Sequence, residues 1–178
     1  MSAGNAGDAV LSFDTKGITV MIKALNKVNK SPQKAVNKAT SKANLIVKRT
    51  VKGKVPVGPP PHGGTLKRNI VTKAEKNHGV KGKKVREVTF KGGAEANAQL
   101  QKPIRNPGAL GGKNPKAYYP ASQEYGFLAR APGGGTQYVE GRHFMLQGAE
   151  QASPTAKKTM IDVMEKELDK LWQEAAHE

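Results

Sequence analysis

Apolar residues recur at helical spacing over two stretches near the beginning of the chain. Between residues 18 and 28 they share one helical face, and the lysines and asparagines between them fall on the opposite face. The apolar positions of this first stretch are Ile18, Met21, Ile22, Leu25 and Val28. The pattern predicts one amphipathic helix.

A second and longer helix is predicted after the Ser-Pro pair at residues 31 and 32. Serine is a common N-cap and proline is tolerated at the first helical position, so this pair is typical of a helix start. The spacing then continues over about five turns until Pro56 ends the helix. The positions that sustain this spacing are Ala35, Val36, Ala39, Ala43, Ile46, Val47 and Thr50. The opposite face carries a basic stripe, which consists of Lys34, Lys38, Lys42, Arg49 and Lys52.

Beyond Leu66 the period changes to the alternation that is typical of half-buried strands. Residues 69–76 (NIVTKAEK) and 84–91 (KVREVTFK) alternate β-branched and polar residues. The segment between them, residues 77–83, contains two glycines and suits a hairpin turn. An antiparallel pair of strands is therefore predicted.

A third strand is predicted in residues 116–126 (KAYYPASQEYG), where Pro120 indicates an edge position or a bulge. Alternation along a strand would place Tyr119 and Tyr125 on one face. These tyrosines, together with Tyr118, are either ordinary sheet-packing aromatics or anchors of an interface.

Two segments rich in glycine and proline, residues 92–115 and 129–141, show no sustained period and are predicted to be exposed loops. A second Ser-Pro pair, Ser153-Pro154, indicates the start of a final helix. The apolar stripe of this helix is formed by Ala156, Met160, Val163, Met164, Leu168 and Leu171. Phe144 and Met145, just before it, are assigned to the core.

The order of these elements predicts an α+β fold. A small antiparallel sheet of three to four strands is packed by a long N-terminal helix and a C-terminal helix, with long Gly/Pro-rich loops. We expect one domain over residues 17–178, preceded by a flexible arm at residues 1–16. The arm lacks the basic start and apolar block of a signal peptide, and no run approaches the ~20 apolar residues of a membrane helix. No membrane partner is expected.

The net charge of +16 is unevenly distributed along the chain. Residues 1–120 contain 24 Lys and Arg residues against 5 Asp and Glu residues, whereas residues 121–178 contain 6 against 9. The first part therefore carries +19 and the second −3. This distribution predicts a basic body that meets a polyanion or an acidic protein surface, and a C-terminal segment of different character.

Residues 54–70 (KVPVGPPPHGGTLKRNI) superficially resemble a phosphate-binding loop. In a P-loop a lysine reaches the terminal phosphates and backbone N–H groups form a cradle. Here Gly64 stands in the lysine position, and residues 59–61 are prolines, which lack the N–H group. Nucleotide binding is therefore not expected. The segment is predicted to be a structural corner between helix and sheet, formed by Pro56, Gly63, Gly64, Leu66 and Ile70, in which the glycines supply unusual backbone angles and the two aliphatic residues anchor the core.

No other pattern indicates catalysis, a metal or a cofactor. The chain has no cysteine, and its four histidines lie far apart without the spacing of metal ligands. Carboxylates are scarce in the basic body, and nothing requires Glu124 and Glu140 to meet as an acid/base pair. We expect a protein that is not an enzyme and binds no cofactor.

Three short segments, in this order, resemble a family of tailed bacteriophages. The helix ending in KVPV and followed by GGTLKRNI is similar to the "vP…TG.L..SI" signature of the head–tail joining and tail-completion proteins, the minor tail protein Z-like group. YYPASQEYG is similar to the "YA..vE.G" segment of that group, and GRHFMLQGAEQ is similar to its "rPFm..A.e" segment. Together the three matches frame about residues 17–175.

The resemblance implies a virion structural protein of the neck or the upper tail, assembled in the host cytoplasm. Members of such assemblies form rings, commonly six-fold or twelve-fold, so the expected partners are other copies of the chain in a hexamer or dodecamer. Neighbouring connector, tail-terminator or tail-tube proteins are the other implied partners. Genomic double-stranded DNA would pass through the lumen without being read.

The candidate contacts of such an assembly come from three segments. The proline run is stiff and expected to be exposed, and two arginines flank the second glycine-rich loop. The interface candidates are Pro59, Pro60, Pro61, Tyr119, Tyr125, Arg130 and Arg142. The basic stripe faces solvent, an acidic neighbour or DNA, and the sequence leaves these three alternatives open.

A second hypothesis is a basic protein that binds duplex nucleic acid without sequence preference, with a steep inverse dependence on salt. Lysine dominates over arginine in the basic stripe, and no aromatic residues interleave for stacking on single strands. A third hypothesis, an enzyme of unknown type, lacks acid/base and metal residues to support it.

Overall fold

A computed structural model describes residues 26, 32–58, 63–74, 85–103 and 116–176. The N-terminal arm and, apart from Asn26, the first predicted helix lie outside this part, as do the turn at residues 77–83 and the proline run at residues 59–61. The described residues form five helices and six strands. In chain order they are α1 (Gln33–Lys54), α2 (Thr65–Asn69), β1 (Ile70–Ala74), β2 (Arg86–Phe90), α3 (Ala94–Leu100), β3 (Gln101–Pro103), β4 (Lys116–Tyr118), α4 (Tyr119–Tyr125), β5 (Gly126–Arg130), β6 (Thr136–Glu140) and α5 (Phe144–Ala176).

Helix α1 confirms the second predicted helix and packs along α5. Its buried residues follow one another at intervals of one turn, and they are small, which lets the two helices approach closely. They are Ala35, Ala39, Ala43, Val47 and Val51. On α5, Gly148 lies against Val51 so closely that an added Cβ would stand 2.7 Å from the Cα of Val51. Lys38 contacts Glu167 at the other end, so the helices are antiparallel.

Helix α5 begins at Phe144, so the predicted start at Ser153-Pro154 is wrong. Pro154 lies inside the helix, where its missing N–H removes one backbone hydrogen bond, and its side chain is exposed. The apolar spacing starts earlier than the Ser-Pro pair, and Phe144 and Met145 are buried as predicted. The predicted stripe is confirmed, because Ala156, Met160, Met164 and Leu168 are buried and Val163 and Leu171 pack against the core.

The first hairpin confirms the two predicted strands. β1 pairs with β2 in antiparallel register, with Ile70 opposite Phe90 and Thr72 opposite Val88. Ile70 and Val88 are buried in the core, and the side-chain amide of Asn44 on α1 donates to the carbonyl oxygen of Glu87 at 3.2 Å. The hairpin thus lies on α1 through both apolar packing and a hydrogen bond.

The α+β class is confirmed, but one sheet of three to four strands is not what the described residues form. Three separate two-stranded ladders are present, β1–β2, β3–β4 and β5–β6, all antiparallel. The helix pair supplies most of the core, so each ladder packs against helices or projects from them.

The predicted third strand is wrong over most of its length. Lys116–Tyr118 is a strand, Tyr119–Tyr125 forms α4 with Pro120 buried in its first turn, and Gly126 already belongs to β5. Proline is favoured in the first turn of a helix because it has no N–H to leave unpaired there. Since α4 is helical, the expected strand face shared by Tyr119 and Tyr125 does not exist.

Both predicted loops contain regular structure. The first, residues 92–115, includes α3, which buries Ala96 and Leu100, and strand β3. The second, residues 129–141, contains the end of β5 and all of β6. Its exposure was predicted correctly, because residues 132–138 are all exposed.

The corner after α1 is built largely as predicted. Pro56 follows the end of α1, and Leu66 and Ile70 are buried. Gly64 has a left-handed φ of 78°, which glycine adopts without a steric penalty. Leu66 belongs to the short helix α2, so the chain makes one helical turn before it enters β1.

Candidate interaction surfaces

The hairpin of β5 and β6 projects from the rest of the described structure. Apart from α4, no described element packs substantially against it. Phe127 lies opposite Val139 and Leu128 lies opposite Tyr138, so apolar pairs occupy both faces of the ladder. Leu128 is 59% exposed and Tyr138 is 63% exposed. This exposed hairpin, residues 126–140, therefore presents uncovered apolar area on two sides.

The base of the exposed hairpin is held closely against α4. The hydroxyl of Tyr138 donates to the carbonyl oxygen of Tyr125. Gly126 has a left-handed φ of 89°, and a Cβ there would collide with the Tyr138 side chain and the carbonyl oxygen of Val139. A Cβ on Gly141 would collide with the backbone of α4. At the tip, three successive glycines at residues 133–135 all take left-handed φ values.

Glu124 is a buried carboxylate at the junction between α4 and α5. Its Oε2 accepts the N–H of Met145 at 2.9 Å, and its Oε1 accepts the N–H of Leu146 at 3.1 Å. The carbonyl oxygen of His143 accepts the first helical hydrogen bond, from Gln147, which makes His143 the N-cap. The carboxylate thus satisfies the second and third N–H groups of α5, as an N-cap side chain would.

The backbone at this junction is paired as well. Arg142 N–H donates to the carbonyl oxygen of Gln123 at 2.8 Å, and His143 N–H donates to that of Glu124 at 3.1 Å. His143 has a left-handed φ of 47°, which turns the chain sharply into α5. The sequence offered one signal for this junction, since Gly141-Arg142-His143 contains no Ser, Thr, Asp or Asn whose side chain could accept the N–H groups of α5, which therefore need an acceptor elsewhere.

The predicted interface residues do not form one cluster. Tyr119 is half-buried and packs on the core, whereas Tyr125 is exposed and its ring meets the His143 ring edge to face at 6.4 Å. Arg130 lies at the tip of the exposed hairpin and Arg142 lies beyond its base, both exposed. Residues 59–61 lie outside the described part, so their role stays a prediction.

The basic stripe lies on the outer side of α1. Lys34, Lys42 and Arg49 are exposed, and Lys52 is partly exposed. Lys38 donates to Glu167 of α5 at 2.6 Å, which ties it to the same chain. The α1 helix contains seven Lys and Arg residues and no acidic residue.

The C-terminal end of α1 gathers three lysines, Lys48, Lys52 and Lys67, which we call the lysine cluster. Burial lowers the pKa of Lys52, and the positive charges of Lys48 and then Lys67 lower it further. None of the three pairs with a carboxylate among the described residues. The predicted stripe contained only Lys52 of this cluster. Lys67 lies on α2, next to Leu66, which is buried in the same hydrophobic core as Val51 and Val55 at the end of α1.

The outer side of α5 is mixed in charge and richer in carboxylates than α1, although Lys166 and Lys170 are also exposed there. Asp162, Glu165 and Asp169 are exposed at helical spacing, and two large apolar side chains, Ile161 and Trp172, are exposed beside them. These residues lie on the half of α5 that pairs with the N-terminal half of α1, since Lys38 bonds to Glu167. The helix pair is therefore basic at the end of the lysine cluster and richer in carboxylates at the other end.

Within the described residues, no group of three or more His, Asp or Glu side chains is arranged to hold a metal ion. The described helices also include none with both the length and the apolar character needed to cross a membrane. Comparison with protein-family models, with curated proteins and with solved structures finds no match for this chain.

Proposed function

We propose that the chain is a structural virion protein of a tailed bacteriophage that forms a homo-oligomeric ring at the head–tail junction. In this role it joins the capsid-side connector to the tail and lets genomic DNA pass without reading its sequence. Its place is the neck or upper tail of the virion, and it performs no catalysis.

The observation that carries the proposal is the exposed hairpin. A two-stranded hairpin is marginally stable by itself in water, and this one leaves Phe127, Leu128 and Tyr138 uncovered. Apolar patches of this kind mark protein interaction sites. Each strand also has one edge unpaired by any described strand, so a neighbour could add main-chain hydrogen bonds as well as apolar contacts. Such an exposed hairpin is expected in a subunit that assembles with other copies of itself.

The segments that carry the family resemblance also meet in space. YYPASQEYG contains Glu124, GRHFMLQGAEQ contains Met145, and the carboxylate of the first accepts the N–H of the second. The exposed hairpin is the chain between these two residues. The two similar segments are therefore joined at the base of the exposed hairpin. Their contact fixes the direction of the hairpin, which favours a defined contact with a neighbouring subunit.

The distribution of charge fits a ring with head-to-tail contacts. Such a ring joins two different patches of the subunit, and the lysine-rich side of α1 and the carboxylates of α5 differ in sign. Opposite patches increase the rate of encounter and fix its orientation. We therefore expect ring assembly to be faster at low salt.

The test is a comparison of two matched variants, each of which places a charge on an exposed apolar residue. Leu128→Arg changes the exposed hairpin, and Val57→Arg changes an equally exposed residue beyond α1. Light scattering over a range of concentrations, with negative-stain electron microscopy, should show rings for the original chain and for Val57→Arg but not for Leu128→Arg. An original chain that stays monomeric and binds duplex DNA would favour the nucleic-acid hypothesis instead. Rings that form equally well with Leu128→Arg would remove the hairpin from the interface.

A further inference from the structure

The lysine cluster holds positive charges together, and no carboxylate among the described residues pairs with them. Lys48 and Lys52 are one turn apart on α1, at a spacing where like charges repel, and the charge of Lys67 on α2 also acts on Lys52. Elsewhere on the same helix one cation is paired, since Lys38 donates to Glu167. Within the part of the chain that the structure describes, the positive charge of the cluster is thus uncompensated, and bringing the three lysines together lowers the stability of the fold.

The elements around the cluster keep this arrangement in place. Val51, Val55 and Leu66, which lie between or beside the three lysines in the sequence, are all buried in the core. All three belong to one hydrophobic core, which fixes the backbone at the end of α1 and at the start of α2, from which the lysine side chains extend. Preorganised cations of this kind lose less entropy when they bind an anion.

We propose that the lysine cluster, with the neighbouring Arg49, is a surface that binds the phosphate backbone of duplex nucleic acid. A polyanion offers many charges at regular spacing, and neutralising them releases counterions, which is a large favourable term for a lysine-rich surface. Lysine contacts phosphates as a point charge and does not distinguish bases, so the binding is independent of sequence.

The residues present favour a duplex over a single strand and over an acidic protein. Single-strand binding needs aromatic side chains on which bases stack, and neither α1 nor α2 contains an aromatic residue. Protein interfaces have an apolar centre, whereas the large apolar residues nearest the three lysines in sequence are buried beneath them. In a ring this surface would face the passing DNA, but the proposal does not depend on ring formation.

The test measures the affinity for a fluorescent duplex by anisotropy over a range of salt concentrations. The variant is Lys48→Gln/Lys52→Gln/Lys67→Gln, and the matched control is Lys157→Gln/Lys158→Gln/Lys166→Gln, which removes three exposed charges from α5. The logarithm of the binding constant falls linearly with the logarithm of the salt concentration, and each lost phosphate contact should make that slope less steep by about one. The slope of the variant should therefore be less steep by about three. The control should keep the original slope, and a second duplex of different sequence should bind equally well.

Three results would overturn the proposal. The first is that neither duplex binds at low salt, and the second is that the glutamine variant and the control lose the same amount of affinity for the duplex. The third is that polyglutamate displaces the duplex at equal charge concentration. The last result would assign the surface to an acidic protein. Lys48→Arg/Lys52→Arg/Lys67→Arg keeps the three positive charges and is made in parallel, and it should keep the affinity for the duplex. Adding Leu128→Arg separates this proposal from ring assembly, because duplex binding should survive in a subunit that no longer assembles.

Discussion

The carboxylate of Glu124 accepts the backbone N–H of Met145 at 2.9 Å, although the two residues are 21 positions apart. Between them lie the whole exposed hairpin and its glycine-rich tip. One buried side chain therefore closes the base of the exposed hairpin and caps helix α5. A negative charge at this place is also favourable because the N-terminus of a helix carries partial positive charge.

Replacing Glu124 with alanine should lower the free energy of unfolding by about 2–3 kcal/mol, because two N–H groups at the start of α5 lose their acceptor. Glu124→Gln keeps one acceptor and loses the charge, so a decrease of about 1 kcal/mol is expected. Urea unfolding measures both. Glu140→Gln, on an exposed residue of β6, is the control and should stay within about 0.5 kcal/mol of the original chain. Equal stability of Glu124→Ala would contradict the capping role.

Much of the helical framework could be predicted from the sequence. The spacing of Ala35, Ala39 and Ala43 gives α1 directly, and alternation gives β1 and β2. The predicted start of α5 was wrong because a Ser-Pro pair is typical of a first helical turn, whereas here Pro154 lies inside the helix. The apolar period already runs through Phe144 and Ala149. Local propensity and tertiary packing disagreed there, and packing decided.

The remaining elements could not be predicted because their signals are short or long-range. Helix α3 buries only Ala96 and Leu100, which is too short a pattern to distinguish from a loop. The segment Tyr119–Tyr125 has strand-like tyrosines, yet Pro120 suits a helix start equally well. The exposed hairpin did leave a signal, because short runs with β-forming residues, Phe127-Leu128 and Tyr138-Val139, stand on the two sides of three glycines. The cap by Glu124 and the approach of Lys67 to Lys52 depend on the tertiary fold.

Gly148→Ala should destabilise the chain by about 1–3 kcal/mol, because the added Cβ would stand 2.7 Å from the Cα and 2.8 Å from the Cγ2 of Val51. The matched control is Gly53→Ala on α1, whose Cβ would meet nothing within 4 Å. That change should raise stability by about 0.4–1 kcal/mol, since it reduces the freedom of the unfolded chain. Urea unfolding of the two variants separates the effect of the close contact with Val51 from the effect of helix propensity. A Gly148→Ala variant as stable as the original would show that α1 and α5 cross further apart.

The hydrogen bond from Lys38 lowers the pKa of Glu167 from its ordinary value of 4.5, with the charges of Lys38 and Lys170 acting in the same direction. Lys38→Met should therefore raise that pKa toward its ordinary value. Lys170→Met should raise it less, because Lys170 Nζ lies 3.7 Å from Glu167 Oε1 and Lys38 Nζ lies 2.6 Å away. Carbon-detected NMR titration of the glutamate carboxyl carbons measures both shifts.

This pair also has a defined effect on acid stability. A carboxyl whose pKa is lower in the folded chain than in the unfolded chain stabilises the fold above the unfolded pKa of about 4.5. That contribution is lost as the pH falls through the folded-state pKa. The difference in stability between the original chain and Lys38→Met should therefore shrink in acid. A difference that stays constant between neutral and acid pH would show that the Lys38–Glu167 contact is absent in solution.

Lys52 should affect stability in the opposite pH range. Burial, Lys48 and Lys67 lower its pKa from 10.5, so the unfolded chain holds this proton more tightly than the folded chain does. Below the folded-state pKa the repulsion is present in full. As the pH rises from the folded-state pKa toward 10.5, Lys52 loses its proton in the folded chain before it does so in the unfolded chain. The contribution of Lys52 to the free energy of unfolding therefore rises over this range. Lys52→Gln should therefore raise the free energy of unfolding at neutral pH by roughly 0.2–0.5 kcal/mol, the size of a like-charge helical pair.

Because other lysines and the tyrosines titrate in the same alkaline range, the measurement is a difference between two variants. Urea unfolding of Lys52→Gln is compared with that of Lys34→Gln, an exposed lysine at the other end of α1. The advantage of Lys52→Gln should decline as the pH approaches 10.5, and it should also decline with added salt, which screens the repulsion. An advantage that persists through both changes would mean that packing, and not charge, distinguishes the two sites.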